Sequence, residues 1–141
     1  MSEIAVRIAD WQQDNADLRR IREAVFIAEQ SVPPELEWDG DDEEAIHFLA
    51  LENDYPIGTA RLLTDGQIGR VSVLRDWRGM NIGDALMRAV IAEAERRDLR
   101  EQRLTAQVHA TRFYERLGFE VVSDEFLEAG LPHVDMLRKS S

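Results

Sequence analysis

The run Val71-Ser72-Val73-Leu74-Arg75-Asp76-Trp77-Arg78-Gly79-Met80-Asn81-Ile82-Gly83 takes the chain from an apolar strand-like pattern, through a turn, into a helical one. Ile82, Ala85, Leu86, Ala89 and Val90 share one face of a 3.6-residue period, which predicts a helix from Ile82 to about Arg97. A helix N-terminus leaves backbone N–H groups unpaired and carries partial positive charge, so it suits an anion such as a pyrophosphate. Gly79 and Gly83 lack a Cβ that would hold phosphate oxygens off the backbone, and Arg70, Arg75 and Arg78 crowd the turn with positive charge. Two glycines before a helix are also what a plain tight turn uses, and this stretch alone leaves both readings open.

On its N-terminal side, Ile68 to Leu74 reads as a strand entered from the Asp65-Gly66 turn. Ile46 to Leu51 and Ile57 to Leu63 read as two more strands around Glu52-Asn53-Asp54-Tyr55-Pro56. Three strands with short turns imply an antiparallel meander. Ile4 to Ile8 alternates as a first strand, and Asp14 or Asn15 is placed to cap a helix with the stripe Leu18, Ile21, Val25 and Phe26, ending before Pro33-Pro34. The carboxylates Asp39, Asp41, Asp42, Glu43 and Glu44 around Gly40 show no period and are expected to form a hydrated surface loop. Past the second helix, Leu104 to Val108, Phe119 to Val122 and Val134 to Leu137 read as strands, with a short helix at Ala110 to Leu117. The order β-α-β-β-β-α-β-α-β-β predicts an α+β fold, a mixed central sheet flanked by helices.

With 141 residues, 44% of them hydrophobic, the chain is expected to form a single domain over 1–141. No stretch approaches the apolar length of a membrane span, and Met1 to Asp10 lacks a signal-peptide pattern, so a cytoplasmic protein with no membrane partner is expected. The absence of cysteine removes disulfides, thiolate metal sites and a cysteine nucleophile. His47, His109 and His133 have no ligand-like spacing, and no metal is expected. A net charge of −11 opposes nucleic-acid binding and favours cationic partners, although acidity also serves solubility alone. A homodimer is left open.

A second stretch, Ala106-Gln107-Val108-His109-Ala110-Thr111-Arg112-Phe113-Tyr114-Glu115-Arg116-Leu117-Gly118-Phe119, places Ala110, Phe113 and Leu117 on one helical face and turns Tyr114 to the side. Taken alone, Tyr114 would be read as a partly buried core aromatic. Together the two stretches resemble the GNAT acetyltransferase superfamily. Arg78 and Gly83 fill the ends of its R/Q-x-x-G-x-G/A turn, and Phe113-Tyr114 with Gly118-Phe119 fills its F-Y-x-x-x-G-F signature. Asn81 stands where that turn has its middle glycine, and Asn tolerates the left-handed backbone better than other non-glycine residues. Val25 to Gln30, Asp39 to Asp42 with His47, Ala60 to Leu62, Ile68 to Val71 and Gly130 to Met136 are similar to the ElaA-like branch.

The resemblance implies acetyl-CoA as cosubstrate and an amine as acceptor. It implies that Val71, Ser72 and Val73 pair with the pantetheine arm, that Arg78, Gly79, Met80, Asn81, Ile82 and Gly83 hold the pyrophosphate, and that Gln107 and Phe113 flank the cosubstrate. Tyr114 is implied as the proton donor to the departing thiolate, for which a phenol of ordinary pKa ~10 is suited. Glu29, His47 and His133, in segments expected to wall the acceptor side, are the candidates for a general base. Each has a plainer alternative: a helix-end ion pair for Glu29, a strand-surface position for His47, a loop-pinning contact for His133. Arg61 and Arg70 are expected as salt-bridge partners on the sheet face. A noncatalytic CoA-binding sensor or interaction module on the same fold is the alternative to an enzyme.

Overall fold

The computed structural model describes residues 3–140. Strand β1 (Ile4–Ala9) leads to helix α1 (Asn15–Arg22), which runs on as a π-helical stretch over Glu23–Glu29, and then to a one-turn helix α2 (Pro34–Glu37). Strands β2 (Ile46–Glu52), β3 (Tyr55–Leu62) and β4 (Ile68–Val73) form the expected meander, and β1 pairs antiparallel with β2 at its edge. Helix α3 spans Ile82–Arg96, followed by β5 (Glu101–Gln107), α4 (Thr111–Glu115), β6 (Glu120–Val121), β7 (Phe126–Glu128) and β8 (Leu131–Lys139). In the second sheet β8 is central, pairing antiparallel with β5, β6 and β7. Helix α2 and strand β7 are too short to show a period in the sequence.

The two halves of the sheet touch at one end. Gln67 and Arg103 form a single parallel bridge, and the Arg103 N–H donates to the Gly66 carbonyl at 3.1 Å. Gly66 has φ +92°, and a Cβ there would collide with the Glu101 carbonyl, so the junction requires glycine for clearance as well as for its turn. Past this junction β4 and β5 are not paired, and a notch opens between them.

Alternation along the meander divides its faces. Phe48, Ala50, Ala60 and Leu62 pack with Leu86, Met87 and Val90 of α3 in the main core, which continues through Leu104, Ala106, Val134 and Met136. Leu49 faces the other way, onto Leu18 and Ile21 of α1. His47 and Arg61, directly opposed in the β2–β3 register, lie on this second face too. Asp14 precedes α1, but its carboxylate bonds Arg7 and the Asp10 N–H and makes no cap bond to the helix.

The acidic segment is where the fold departs from the sequence expectation. Asp39 and Asp42 are drawn inward with Glu37 onto three arginines. Arg22, fully buried, reaches Glu37 and Asp42 at 2.7 Å each, and Arg61 reaches Asp39 at 2.9 Å and Asp42 at 3.0 Å. Arg70 binds Glu37 at 3.2 Å and Asp39 at 3.1 Å. Three cations meet three anions, so the cluster is neutral, as burial demands. Arg61 and Arg70 are therefore salt-bridge partners as expected, while Asp42 is buried rather than the hydrated surface group anticipated, and Asp39 stays at the surface but is paired. The cluster ties the segment after α1 to β3 and β4. Among the described residues no helix is long and apolar enough to cross a membrane.

Candidate active site

The notch is the mouth of a cavity of about 650 Å³ between β4 and β5, roofed by the end of the π-helical stretch and the β7–β8 turn. A second cavity of about 440 Å³ lies at the head of α3, lined by Val73, Arg78, Gly79, Asn81, Gly83 and Phe113, with Arg116 beside them. Consecutive residues of α4 join the two, because Phe113 lines the second cavity and Tyr114 the first.

Within the turn, Asn81 adopts φ 63° and ψ 21°, the left-handed geometry a glycine would supply, though its side chain makes no cap bond. Asn is among the few residues for which that geometry is cheap, and the turn keeps its shape. Gly79 also has positive φ, and a Cβ there would meet nothing within 4 Å. Gly83 lies in the first turn of α3 against the Phe113 ring, whose Cζ is 3.5 Å from where a Cβ would stand. Ile82 is buried in the core, so only its backbone can serve the turn, and Met80 is exposed.

Arg78 is already engaged. Its Nε donates to the Val73 carbonyl at 2.9 Å, and its two Nη atoms donate to the Glu29 carboxylate at 2.9 and 2.7 Å. This pair, with Arg75 nearby, holds Glu29 below the usual carboxylate range. A carboxylate so held is a poorer proton acceptor.

On the β4 wall, Val71 lines the notch and Ser72 is buried, its hydroxyl donating to the Arg70 carbonyl at 3.2 Å. Arg70 itself has φ +53°, next to a register shift in the β3–β4 ladder. Its guanidinium donates to the Leu36 and Glu37 carbonyls, both at 3.2 Å, and to Asp39, contacts that offset a backbone costing of order 1 kcal/mol. On the β5 wall, Gln107 donates to Gln30 at 3.1 Å across the notch and bonds the His109 ring at 2.6 Å.

Tyr114 packs edge-on against Phe113 and Phe119 and borders the first cavity. Burial pushes its phenol up to about 12. The remaining base candidates separate clearly. His47 lines neither cavity: it is 1% exposed, stacked on Trp11 at 4.7 Å, and donates from Nε2 to the Asp42 carbonyl at 2.8 Å. Burial lowers its pKa. His133 does line the first cavity. Its Nδ1 lies 2.7 Å from the Leu131 carbonyl, which can only accept, so Nδ1 carries the proton and the neutral ring has its lone pair on Nε2, 3.9 Å from Glu128.

Several residues of the site have no local signal in the sequence. Arg22 and Glu37 look like ordinary surface charges and Glu128 belongs to no motif, while Gln30 and Asp42 lie in stretches whose resemblance gave them no role. Only tertiary proximity brings them together. Asp41 and Glu128 border the first cavity without a partnered guanidinium among the described residues, whereas Asp39 and Glu37 are neutralised there.

Residues 9–140 match the model of the Acetyltransferase (GNAT) domain. The chain is 34% identical over 135 residues to the uncharacterized N-acetyltransferase YjcF of Bacillus subtilis, covering 93% of this chain and 96% of that one. Among solved structures, Escherichia coli ElaA superposes with a TM-score of 0.85 at 31% identity, covering 99% of this chain and 100% of that one. An acyl-CoA N-acyltransferase from Pseudomonas aeruginosa superposes with a TM-score of 0.84 at 32% identity, covering 98% and 99%. A domain match running nearly end to end, with relatives at these identities over their whole length, means that the chain belongs to the GNAT acetyltransferase family.

Proposed function

We propose that the protein, as one domain of the ElaA-like branch, moves the acetyl group of acetyl-CoA directly onto the primary amine of a cationic small molecule or peptide. The observation that carries this reading is that Tyr114 and His133 border one cavity, while the adjacent Phe113 borders the cavity at the glycine turn. A cosubstrate whose pyrophosphate rests on the turn from Arg78 to Gly83 would run past α4 along β4, its thioester near Tyr114. The edge of β4 at Val71 to Val73, unpaired toward β5, suits the pantetheine amides as an added strand would.

A Lys-like amine with pKa ~10.4 is neutral in fewer than about one molecule in a thousand at pH 7, so it must lose a proton before attack. Of the three candidate bases, His133 is favoured, with its Nε2 lone pair available. Glu29 is held by Arg78, and His47 is sealed under Trp11. The amine nitrogen attacks the thioester carbonyl carbon, the carbon–sulfur bond breaks as the tetrahedral intermediate collapses, and the Tyr114 hydroxyl gives its proton to the sulfur. His133 takes the ammonium proton before attack and passes it to solvent, then takes the second proton that the nitrogen sheds as the amide forms, and solvent restores the phenol. A phenol raised to about 12 stays protonated through the working range.

Preference for a cationic acceptor rests on Asp41 and Glu128, the carboxylates at the cavity that no arginine neutralises among the described residues, rather than on the acidic segment as a whole. Release of free CoA from acetyl-CoA with a panel of amines tests the reading. Sustained turnover with cationic amines is expected, and tight binding of acetyl-CoA with no turnover on any amine would favour the noncatalytic sensor.

A further inference from the structure

Glu29 and Gln30 end the π-helical stretch and reach both walls of the notch. Glu29 takes the two Nη groups of Arg78 at 2.7 and 2.9 Å, with Arg75 at 3.6 Å behind it, and Gln30 receives the Gln107 amide at 3.1 Å. With its Nε on the Val73 carbonyl at 2.9 Å, Arg78 turns the edge formed by its two Nη groups toward Glu29. The fork it presents is the bidentate one that suits carboxylate and phosphate alike. A seven-residue π-helical run is an uncommon conformation, and such runs concentrate at functional positions.

We propose that Glu29 is a built-in competitor of the cosubstrate. Its carboxylate occupies the guanidinium edge of Arg78 that the pyrophosphate of acetyl-CoA takes, so binding exchanges one bidentate partner for the other and releases this end of the first helix from the turn. The inference rests on reading the turn from Arg78 to Gly83 as the pyrophosphate site. It gives the π-helical segment a function in cosubstrate binding and makes Glu29 a positioning residue for Arg78. It also accounts for a carboxylate at the edge of a site expected to take an anion, where a free negative charge would only repel.

The test is a double-mutant cycle on acetyl-CoA affinity, measured by calorimetry with the full chain: wild type, Glu29→Gln, Arg78→Ala and the double variant. Glu29→Gln should bind acetyl-CoA about three- to tenfold more tightly than wild type, since a partly exposed bidentate pair no longer has to be broken. In the Arg78→Ala background the same change should give no gain. Glu29→Asp keeps the charge but is one methylene short of the fork, and it should give a smaller gain, which serves if Glu29→Gln folds poorly. Unchanged or weaker binding by Glu29→Gln, or a gain of full size without Arg78, would overturn the inference while leaving the cosubstrate site intact. Wild-type protein that does not bind acetyl-CoA would overturn that site and the inference together.

Discussion

Replacing Gly83 by alanine and by valine separates the structural role of the turn from its binding role. A Cβ at this position would meet only Phe113, at 3.5 Å from Cζ and 3.9 Å from Cε1, which is ordinary van der Waals contact, and the backbone there is not left-handed. The protein itself therefore accommodates the methyl group. Alanine in the first turn of α3 should even stabilise the fold, by up to about 0.5–1 kcal/mol, because glycine loses more conformational freedom on folding. In a chain of this size that raises the melting temperature by roughly 2–4 °C. The turn that the sequence resembles, R/Q-x-x-G-x-G/A, admits alanine at this position, so Gly83→Ala should also bind acetyl-CoA with near wild-type affinity. Gly83→Val carries its branch further into the wall of the 440 Å³ cavity and pushes the phosphates away from one charge-assisted hydrogen bond worth about 1.5–3 kcal/mol. Its dissociation constant for acetyl-CoA should rise about tenfold to about 150-fold. Calorimetry on wild type, Gly83→Ala and Gly83→Val, each with its melting curve, reads both quantities. A folded Gly83→Val protein that binds acetyl-CoA with unchanged affinity would refute the assignment of the turn.

Other outcomes follow from the same geometry. Tyr114→Phe keeps the ring contacts with Phe113 and Phe119 and should lower kcat about a hundredfold with acetyl-CoA affinity preserved; a wild-type rate with chemistry shown to limit turnover would make Tyr114 a packing residue only. Because burial raises the Tyr114 pKa from its ordinary value near 10 to about 12, its stabilising contribution is full below pH ~10 and lost as pH climbs toward 12. Alkaline unfolding of Tyr114→Phe should accordingly be less steep in that window. Arg22→Ala leaves three buried or part-buried carboxylates facing only Arg61 and Arg70, one uncompensated charge, and should cost about 3–5 kcal/mol in urea unfolding, where a loss under 1 kcal/mol would contradict the cluster. Arginines hold Asp39 down to about 2, so its stabilisation is present above its unfolded pKa and lost as pH falls from about 4 toward 2, which acid unfolding of Asp39→Asn against wild type would register. Asp41→Asn with Glu128→Gln should raise KM for cationic amines and leave KM for neutral amines unchanged, a difference that shrinks as salt is added.

Much of the fold was legible because it follows from periodicity. The switch from period 2 in Ile68 to Leu74 to period 3.6 after Ile82 depends on which side chains meet the core, and both elements lie within two residues of the expected bounds. The tolerance of Asn81 for a left-handed backbone is likewise a local property, visible in the residue type and realised at φ 63°. Tyr114 beside Phe113 was legible as a motif. What each of them faces was not, since that depends on α4 lying between two cavities that distant strands enclose.

The charges divide along the same line. A sequence shows that Asp39, Asp42, Arg22, Arg61 and Arg70 are ionised, but not whether each one meets water or a counter-ion, because the partners lie about 20 to 30 residues apart along the chain. Folding decides it: the alternation of β2 and β3 turns His47 and Arg61 to the α1 face, where desolvation makes an unpaired charge too costly and draws Asp39 and Asp42 inward. The same holds for Glu29, which a helix-end position leaves as base or ion pair with equal ease until the β4–α3 turn brings Arg78 against it. The sequence by itself determined the longer elements, the glycine turn and the family signatures, all set by neighbours within about one helical turn or strand. Tertiary structure alone decided which ionisable groups are neutralised and which remain free to work, because electrostatic energy is set by distance and burial rather than by order along the chain.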